Sequence, residues 1–370
     1  MALFITHSPV AGGAETVLAT YLRQRPGQHR VLVLSDGECP RLFAEAGADV
    51  TTLPVFRPDD PGRRLTVAEA LTTGGRTTAH LPAILAHVRR SGERAVITNS
   101  MKAHALAPAI AATGRRVGMR LHDTLDAGSL SPTATTVMRL AGTTAASTAA
   151  VSRAAAHAAR AAELPRVRWF HNGVELGEPR TAGRTGPLRL LTISQLTPWK
   201  GVADALAAVA AARAEGTAVT LDVVGAEIFH DTGYAAQLHT ITHRLGLDDA
   251  VRWHGRVTEP TAHLRRADAL LHLPTAPDPL PTVVLEAQAW SLPVIGRDQG
   301  GIAEVVEHGR TGLLTRSADP KAAADLITQL SHPGTLAAMQ WEARSRARAQ
   351  FSAEAYADRF DDWLTAVEAA

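Results

Sequence analysis

Short apolar runs alternate with longer alanine-rich runs along the whole chain. The short runs predict β-strands, and alanine-rich runs such as Ala103–Ala112 and Ser152–Ala162 predict helices. In the first half of the chain, strands are predicted at Leu3–His7, Arg30–Leu34, Val50–Leu53, Ala95–Thr98, Val117–Leu121, Ala146–Val151 and Val167–Phe170. Such regular alternation is typical of α/β layers built on parallel sheets.

The alternation is interrupted by the Gly-, Pro- and Arg-rich stretch 177–187, which we interpret as a linker. Beyond it, strands are predicted at 188–194, 221–225, 251–255, 269–273 and 293–296, and helices at 321–330, 335–349 and 353–368. We therefore expect two α/β domains, at 1–178 and 188–350, with a cleft between them. A C-terminal helix at 351–370 is expected to return to the first domain and pack across both.

Composition narrows the class of protein. The 370 residues are 45% hydrophobic and 20% charged with a net charge of +2, which fits a soluble globular protein and does not favour a nucleic-acid partner. The single cysteine, Cys39, excludes an internal disulfide and fits a reducing cytoplasm. The N-terminal run predicts a first strand rather than a signal peptide, and no apolar run is long enough for a transmembrane helix. We expect a cytoplasmic protein and leave peripheral membrane contact open.

The segment 274–301 contains the most suggestive arrangement of charge. Pro279 and Pro281 exclude a helix before about Thr282, because proline lacks an N–H and pushes its predecessor toward extended geometry. The first amides of the helix that follows have no intrahelical partner and favour an anion. Asp278 precedes this helix and Glu286 lies about one turn inside it, so two carboxylates bracket a phosphate-binding position. Equally, Asp278 could be a helix-start acid and Glu286 an ordinary helix residue.

Other candidate residues follow predicted strands, where open parallel sheets bind ligands. They are Gly12 and Gly13 in a strand-to-helix turn, His122, Lys200 before a helix, Gly225, and the pair Arg256 and Val257. Each has a purely structural alternative, since tight turns need glycine and most histidines and lysines are structural or solvated. The sequence has no DxD triplet and no cluster of His, Cys and Asp, so a metal-dependent phosphate site has no support.

Several motifs together resemble a known family. They are GGAE at 12–15, HNGV at 171–174, LTPWKG at 196–201, DVVG at 222–225, and DPLPTVVLEA at 278–287 followed by PVIGRDQGGIAEVVEHGRTGLL. In order and spacing they resemble glycosyltransferase family 4. The resemblance implies a GT-B fold of two Rossmann-like domains, and transfer of sugar from a nucleotide sugar with retention of configuration.

The resemblance also implies roles for individual residues. Asp278 and Glu286 stand at the paired acidic signature, where they would face the donor sugar and the ribose, and Lys200 would hold the diphosphate. The implied catalytic residues are His122, Lys200 and Asp278. The implied donor-binding residues are Gly12, Gly13, Gln195, Lys200, Gly225, Arg256, Val257, Asp278, Leu280, Pro281, Thr282, Val283 and Glu286.

The chain departs from the family pattern at two places. Gln195 stands where a phosphate-binding arginine is usual, which would weaken stabilisation of the leaving group unless another arginine replaces it. The candidates for that replacement are Arg120, Arg256 and Arg297. Pro279, Leu280 and Pro281 replace glycines and an aromatic residue, which stiffens the loop.

We therefore expect a retaining, metal-independent glycosyltransferase that needs no cofactor. A UDP-sugar is favoured as donor, and the acceptor is expected to be a hydroxyl of a small molecule or natural-product intermediate. The acceptor would be selected by the loops 56–80 and 122–132 of the first domain. The alternatives are a non-catalytic nucleotide-sugar-binding partner subunit and a nucleotide-sugar epimerase on the same fold. Oligomeric state is left open.

Overall fold

The computed structural model describes residues 1–56, 67–125, 131–178, 186–227 and 233–370, with backbone alone for 67–74. The chain divides into two units. The N-terminal unit comprises Met1–Gly173 and Ala353–Ala370, and the C-terminal unit comprises Val174–Ser352. Parts of both expected acceptor loops and most of the expected linker lie outside the described residues.

The N-terminal unit is built on a seven-stranded, all-parallel sheet in the order β3-β2-β1-β4-β5-β6-β7. Its strands are β1 Ala2–Thr6, β2 Arg30–Ser35, β3 Asp49–Phe56, β4 Ala95–Thr98, β5 Arg116–Leu121, β6 Ser147–Ala150 and β7 Val167–Trp169. Its helices are α1 Gly13–Gln24, α2 Cys39–Glu45, α3 Val67–Ser91, α4 Met101–His104, α5 Ala107–Ala111, α6 Pro132–Thr144 and α7 Arg153–Ala161, with α15 Ala353–Ala369. All seven predicted strands are confirmed, each within a few residues of its predicted limits.

The last helix, α15, packs on the sheet of the N-terminal unit. The rings of Tyr21 and Phe360 stack with centroids 4.2 Å apart. The Trp363 indole donates to the Ser147 hydroxyl over 3.0 Å, and the Tyr21 hydroxyl donates to Asp361 over 2.7 Å. Because burying aromatic area is strongly favourable, these rings hold α15 on a sheet that lies far away in sequence.

The C-terminal unit repeats the same design with six parallel strands in the order β10-β9-β8-β11-β12-β13. Its strands are β8 Leu188–Ile193, β9 Val219–Val224, β10 Val251–Trp253, β11 Ala269–His272, β12 Val294–Arg297 and β13 Gly312–Thr315. Its helices are α8 Val202–Ala214, α9 Tyr234–Arg244, α10 Thr261–Arg266, α11 Thr282–Ala289, α12 Ile302–Val305, α13 Pro320–Ser331 and α14 Pro333–Arg346, with a 3-10 turn at Pro198–Lys200 and a π-helical turn at Ala347–Phe351. In each sheet the order reverses beside the first strand, so within each unit the loops after the central strands can meet a ligand at the carboxyl edge.

Two sequence predictions fail in detail. The helix predicted at Ala103–Ala112 is two short helices, because Pro108 near the start of α5 has no N–H to continue the preceding turn. Strand β13 was not predicted, since only Leu313 and Leu314 of its four residues carry apolar side chains. A Cβ at Gly312 would lie 2.2 Å from the Val294 carbonyl oxygen, so this glycine permits the close pairing of β13 with β12.

Candidate active site

Lys200 is fixed by the loop that joins β8 to α8. Gly201 follows it with φ 71°, and a Cβ at that position would lie 1.7 Å from the Leu273 carbonyl oxygen. Only glycine fits this left-handed, closely packed position. The Thr275 amide donates to the Trp199 carbonyl over 2.8 Å. The loop of Lys200 is therefore joined to the loop after β11, which carries Asp278.

Lys200 and Asp278 form a close ion pair. The Lys200 Nζ lies 2.5 Å from Asp278 Oδ2, and the two side chains are 18% and 6% exposed. The ammonium also lies 4.1 Å from the centroid of the Trp199 ring, a favourable cation–π distance. Two predicted site residues that are distant in sequence thus share one site. Lys200 is therefore not a solvated surface lysine, and Asp278 is not simply an acid at the start of a helix.

The loop carrying Asp278 is held in place by two glycines. The Gly301 amide donates to the Asp278 carbonyl over 2.8 Å. A Cβ at Gly301 would lie 2.2 Å from the Pro279 carbonyl oxygen, and one at Gly300, where φ is 57°, would lie 2.3 Å from that of Asp278. The two glycines therefore allow the backbone of 300–301 to pack directly against the backbone of the Asp278 loop.

Helix α11 starts directly after this loop, at Thr282, as predicted. Pro281 occupies the N-cap position, and no side chain caps the helix. Leu280 and Pro281 are buried, whereas Thr282 and Val283 are half-buried. The Val284 amide donates to the Pro281 carbonyl over 3.0 Å, so the Thr282 and Val283 amides, four and five residues after Asp278, are the potential anion donors.

Glu286 lies one turn into α11 and is half-buried. Burial, assisted by the negative charge of Glu259, raises the pKa of Glu286 from 4.5 to about 7. A partly protonated carboxyl can both donate to and accept from a hydroxyl. A carboxylate kept in an unfavourable environment is also typical of functional sites.

His272, which was not among the predicted site residues, ends β11 and is 2% exposed. Burial and the charge of Lys200 lower the pKa of His272 to about 4, against an opposite effect of Asp278. Its Nε2 has no hydrogen-bond partner in the part of the chain that the structure describes. The signal was a single polar residue within the apolar run Ala269–Leu273.

The remaining predicted donor-binding residues of this unit lie on neighbouring loops. Gly225 has φ 147°, and a Cβ there would lie 1.8 Å from the Ser194 carbonyl oxygen, so packing alone already requires this glycine. Gln195 is half-buried on the loop after β8. Arg256 is exposed and Val257 half-buried on the loop after β10.

Arg120 was one of three arginines considered as replacements for the phosphate-binding arginine that is absent at Gln195. The structure contradicts that role for Arg120. It is completely buried in the N-terminal unit. Its guanidinium donates to the carbonyls of Ala150 and Phe170 and to Asn172 Oδ1, over 3.0, 3.1 and 2.7 Å. These bonds commit the side chain to the core of its own unit.

Arg297 is also engaged, in an ion pair within its own unit. It is 7% exposed, and its Nη2 lies 2.6 Å from Asp204 Oδ2 in the first turn of α8. Arg256 is therefore the candidate whose exposure best fits a ligand-binding role.

In the N-terminal unit, Gly12 and Gly13 form the predicted turn between β1 and α1. The Gly12 amide donates to Glu15 Oε2 over 3.3 Å, so Glu15 caps its own helix. Burial raises the pKa of Glu15 to about 7. Part of the GGAE motif is thus explained by helix capping.

His122 follows β5 at the carboxyl edge of the same sheet. Its Nε2 lies 3.0 Å from Asn99 Oδ1, which fixes the ring. Burial, with the charges of Arg120 and His104, holds the pKa of His122 well below its usual value. At neutral pH the imidazole is therefore uncharged, so one ring nitrogen can donate a hydrogen bond and the other can accept one.

The described ranges also lack two kinds of feature that would point to other functions. No three or more His, Cys, Asp or Glu side chains there are grouped to hold a metal ion. Among the helices in those ranges, none has the length and apolarity needed to cross a bilayer.

Comparison with known proteins gives a match to one family over part of the chain. Residues 178–348 match the family model of the glycosyl transferases group 1. The match is somewhat less than half of the chain and covers nearly all of the C-terminal unit, which holds the Lys200–Asp278 pair.

Curated relatives match in part. The chain is 31% identical over 213 residues to glycogen synthase of Mycobacterium tuberculosis, covering 56% of this chain and 47% of that protein. It is 32% identical over 130 residues to D-inositol 3-phosphate glycosyltransferase of Streptomyces avermitilis, covering 35% and 28%. The matches thus span about half or less of these relatives' length.

A solved structure matches over the full chain. HepE of Anabaena superposes with a TM-score of 0.83 and 24% identity, covering 98% of this chain and 99% of that one. HepE was crystallised with UDP, with UDP-glucose, and with UDP and glucose. The match confirms the fold class, two Rossmann-like domains with parallel sheets as in GT-B proteins.

Proposed function

We propose that this protein is a retaining glycosyltransferase of family 4 type that uses a nucleotide diphosphate sugar. The observation that carries the proposal is the buried Lys200–Asp278 pair beside the uncapped start of α11, within a segment that matches glycosyl transferases group 1. A UDP-sugar is the favoured donor, since HepE, which has the same fold, was crystallised with UDP-glucose.

The ion pair supplies a physical reason for donor recognition. Asp278 is almost fully buried, and its charge is offset by Lys200. A diphosphate brings more negative charge than one carboxylate, so it competes for the ammonium and for the first amides of α11. Asp278 then has lone pairs to accept hydrogen bonds from sugar hydroxyls, while the half-buried Glu286 is suited to the ribose.

The proposed reaction breaks the bond between the anomeric carbon and the diphosphate oxygen. The acceptor hydroxyl oxygen forms the new bond on the same face, and its proton passes to the departing diphosphate. Lys200 and the α11 amides would stabilise the charge that develops on the leaving group. His122, fixed by Asn99, is proposed to orient the acceptor or donor sugar. No step requires a metal ion or cofactor, and the acceptor is proposed to be a small hydroxyl compound in the cytoplasm.

The test is nucleoside diphosphate release on incubation with UDP- and GDP-sugars and candidate acceptors. We expect Lys200→Gln to lower turnover at least about a hundredfold, as for loss of an oxyanion-stabilising group. Lys321→Gln is the matched control, because Lys321 is a lysine of the same unit that pairs with Glu215 and Asp325 on the surface. Thermal unfolding shows whether each variant is folded. Equal turnover in a folded Lys200→Gln variant contradicts the site assignment.

A second candidate is a non-catalytic nucleotide-sugar-binding subunit, which the neutral Gln195 favours. In that case the wild-type protein binds nucleotide sugars but releases no diphosphate with any donor and acceptor. Gln195→Arg separates the candidates further, because a restored phosphate clamp would create turnover in a subunit that had lost it.

A further inference from the structure

A cavity in the N-terminal unit is lined by four arginines, at the end of β5 opposite to His122. Its volume is about 570 Å³. The four arginines among its eleven lining residues are Arg94, Arg115, Arg116 and Arg166. Among these described residues, none has an acidic side chain. Four of eleven are arginines, whereas Lys and Arg together make up 38 of the 370 residues of the chain, so the cavity is strongly enriched in positive charge.

The cavity lies at the amino edge of the sheet. Arg94 precedes β4 and Arg116 begins β5, and the Arg116 amide donates to the Arg94 carbonyl over 2.9 Å. His122 follows the other end of β5, about 20 Å away at the usual rise per residue of a strand. A ligand in this cavity therefore cannot be the group that reacts near His122.

Two of the arginine side chains are held in place by hydrogen bonds to backbone carbonyls. Arg166 Nη2 donates to the carbonyls of Thr143 and Ala145, both over 2.7 Å, at the end of α6. Arg115 donates to the carbonyls of Arg89 and Gly92 over 3.1 and 3.3 Å. Because backbone carbonyls hold these guanidinium groups, little side-chain entropy remains to be lost when a ligand binds.

The other two arginines have donors to spare. Arg94 and Arg116 are exposed, and in the described part of the chain neither guanidinium has a hydrogen bond or an ion pair. The cavity lining thus includes four arginine side chains, which favour an anion as ligand. The planar donor array of arginine matches phosphate oxygens in pairs.

We propose that this cavity binds a phosphate-bearing small molecule of the size of a sugar bisphosphate, as an effector or anchoring ligand distinct from the donor. The volume is within the usual range for small-molecule sites. The proposal does not depend on the proposed transferase activity. The same phosphate chemistry could come from a free metabolite or from the headgroup of an acidic lipid.

The test is calorimetric titration with fructose 1,6-bisphosphate, with fructose as the uncharged comparison. It is done in a Lys200→Gln background, so that phosphate binding at Lys200 does not contribute. The double variant Arg94→Gln/Arg116→Gln should weaken binding at least about tenfold, since each charge-assisted bond is strong. The matched control is Arg23→Gln/Arg168→Gln, which removes two exposed arginines of the same unit from outside the cavity. It should change affinity by less than about twofold in moderate salt.

A second arm distinguishes the ligand sources. Vesicles containing phosphatidic acid are compared with phosphatidylcholine vesicles by co-sedimentation. Binding of fructose 1,6-bisphosphate that is lost only in the Arg94→Gln/Arg116→Gln variant (the cavity variant) supports a soluble ligand. Binding only to phosphatidic acid vesicles, again lost only in the cavity variant, supports a lipid headgroup. Equal weakening in both double variants, or no binding of either probe, overturns the proposal.

Discussion

Replacing Glu286 by glutamine should make the protein more stable at alkaline pH while it weakens donor binding. The pKa of Glu286 is raised from 4.5 to about 7 by burial and Glu259. A carboxyl with a higher pKa in the folded state opposes folding once it is ionised in both states. That penalty is absent below about pH 4.5, grows as the pH rises from about 4.5 through 7, and is complete at pH 8.

The size of the effect follows from the two pKa values. Each pKa unit corresponds to about 1.4 kcal/mol, so a change from 4.5 to about 7 corresponds to roughly 3 kcal/mol. Glutamine still has polar atoms to satisfy, and Glu286 is only half-buried. We therefore expect Glu286→Gln to raise the free energy of unfolding by about 1–2 kcal/mol at pH 8 and by about zero at pH 4.5.

The assay is urea unfolding of wild type and variant at both pH values, with titration of UDP at pH 8. Glu354→Gln is the control, because Glu354 is an exposed carboxylate on α15. It should change stability by less than about 0.5 kcal/mol at either pH. A Glu286→Gln variant that is equally stabilised or destabilised at both pH values refutes the electrostatic reasoning. One that keeps full affinity for UDP refutes the assignment of Glu286 to the nucleotide.

Three further predictions concern packing and titration. Gly301→Ala should destabilise the protein by about 1–3 kcal/mol in urea unfolding and lower turnover, because the added Cβ would meet the Pro279 carbonyl. Gly334→Ala is the control, because a Cβ at Gly334 meets no other atom, and it should change stability by less than about 1 kcal/mol. Arg120→Met should lower the free energy of unfolding by about 3–5 kcal/mol, since it leaves buried oxygens unpaired, and a normal denaturation midpoint would contradict this. His272 takes up a proton near pH 6.5 in the unfolded state and near pH 4 in the folded state. The free energy of unfolding should therefore decrease by up to about 3 kcal/mol as the pH falls from 6.5 to 4. His272→Phe should remove that part of the pH dependence of unfolding. An unchanged pH profile in His272→Phe would show that this imidazole does not resist protonation.

Much of the fold could be predicted from local patterns. Strands buried on both faces give continuous apolar runs such as Ala2–Thr6, and a proline fixes where α11 begins. The predictions failed where signals were short or non-local. β13 depends on a glycine that fits against Val294, and the break between α4 and α5 depends on one proline inside an alanine-rich run.

The candidate site was predicted as a set of residues but not as a set of contacts. Spacing and order singled out Lys200, Asp278 and Glu286 along the chain. The 2.5 Å contact of Lys200 with Asp278 joins loops 78 residues apart, which no local pattern encodes. The catalytic and donor-binding roles implied for these three residues, and those implied for Gly12, Gly13 and His122, stay predictions.

The sequence by itself determined the alternation of strands and helices, the glycine and proline turns, and the residue types available for anion and hydroxyl recognition, because these depend on neighbours along the chain. The tertiary structure decided which charges meet. It committed Arg120 to a buried core, raised the pKa of Glu286 by burial, and gathered four arginines at one edge of a sheet. Electrostatic energy depends on distance and burial in three dimensions, and neither is set by position in the sequence.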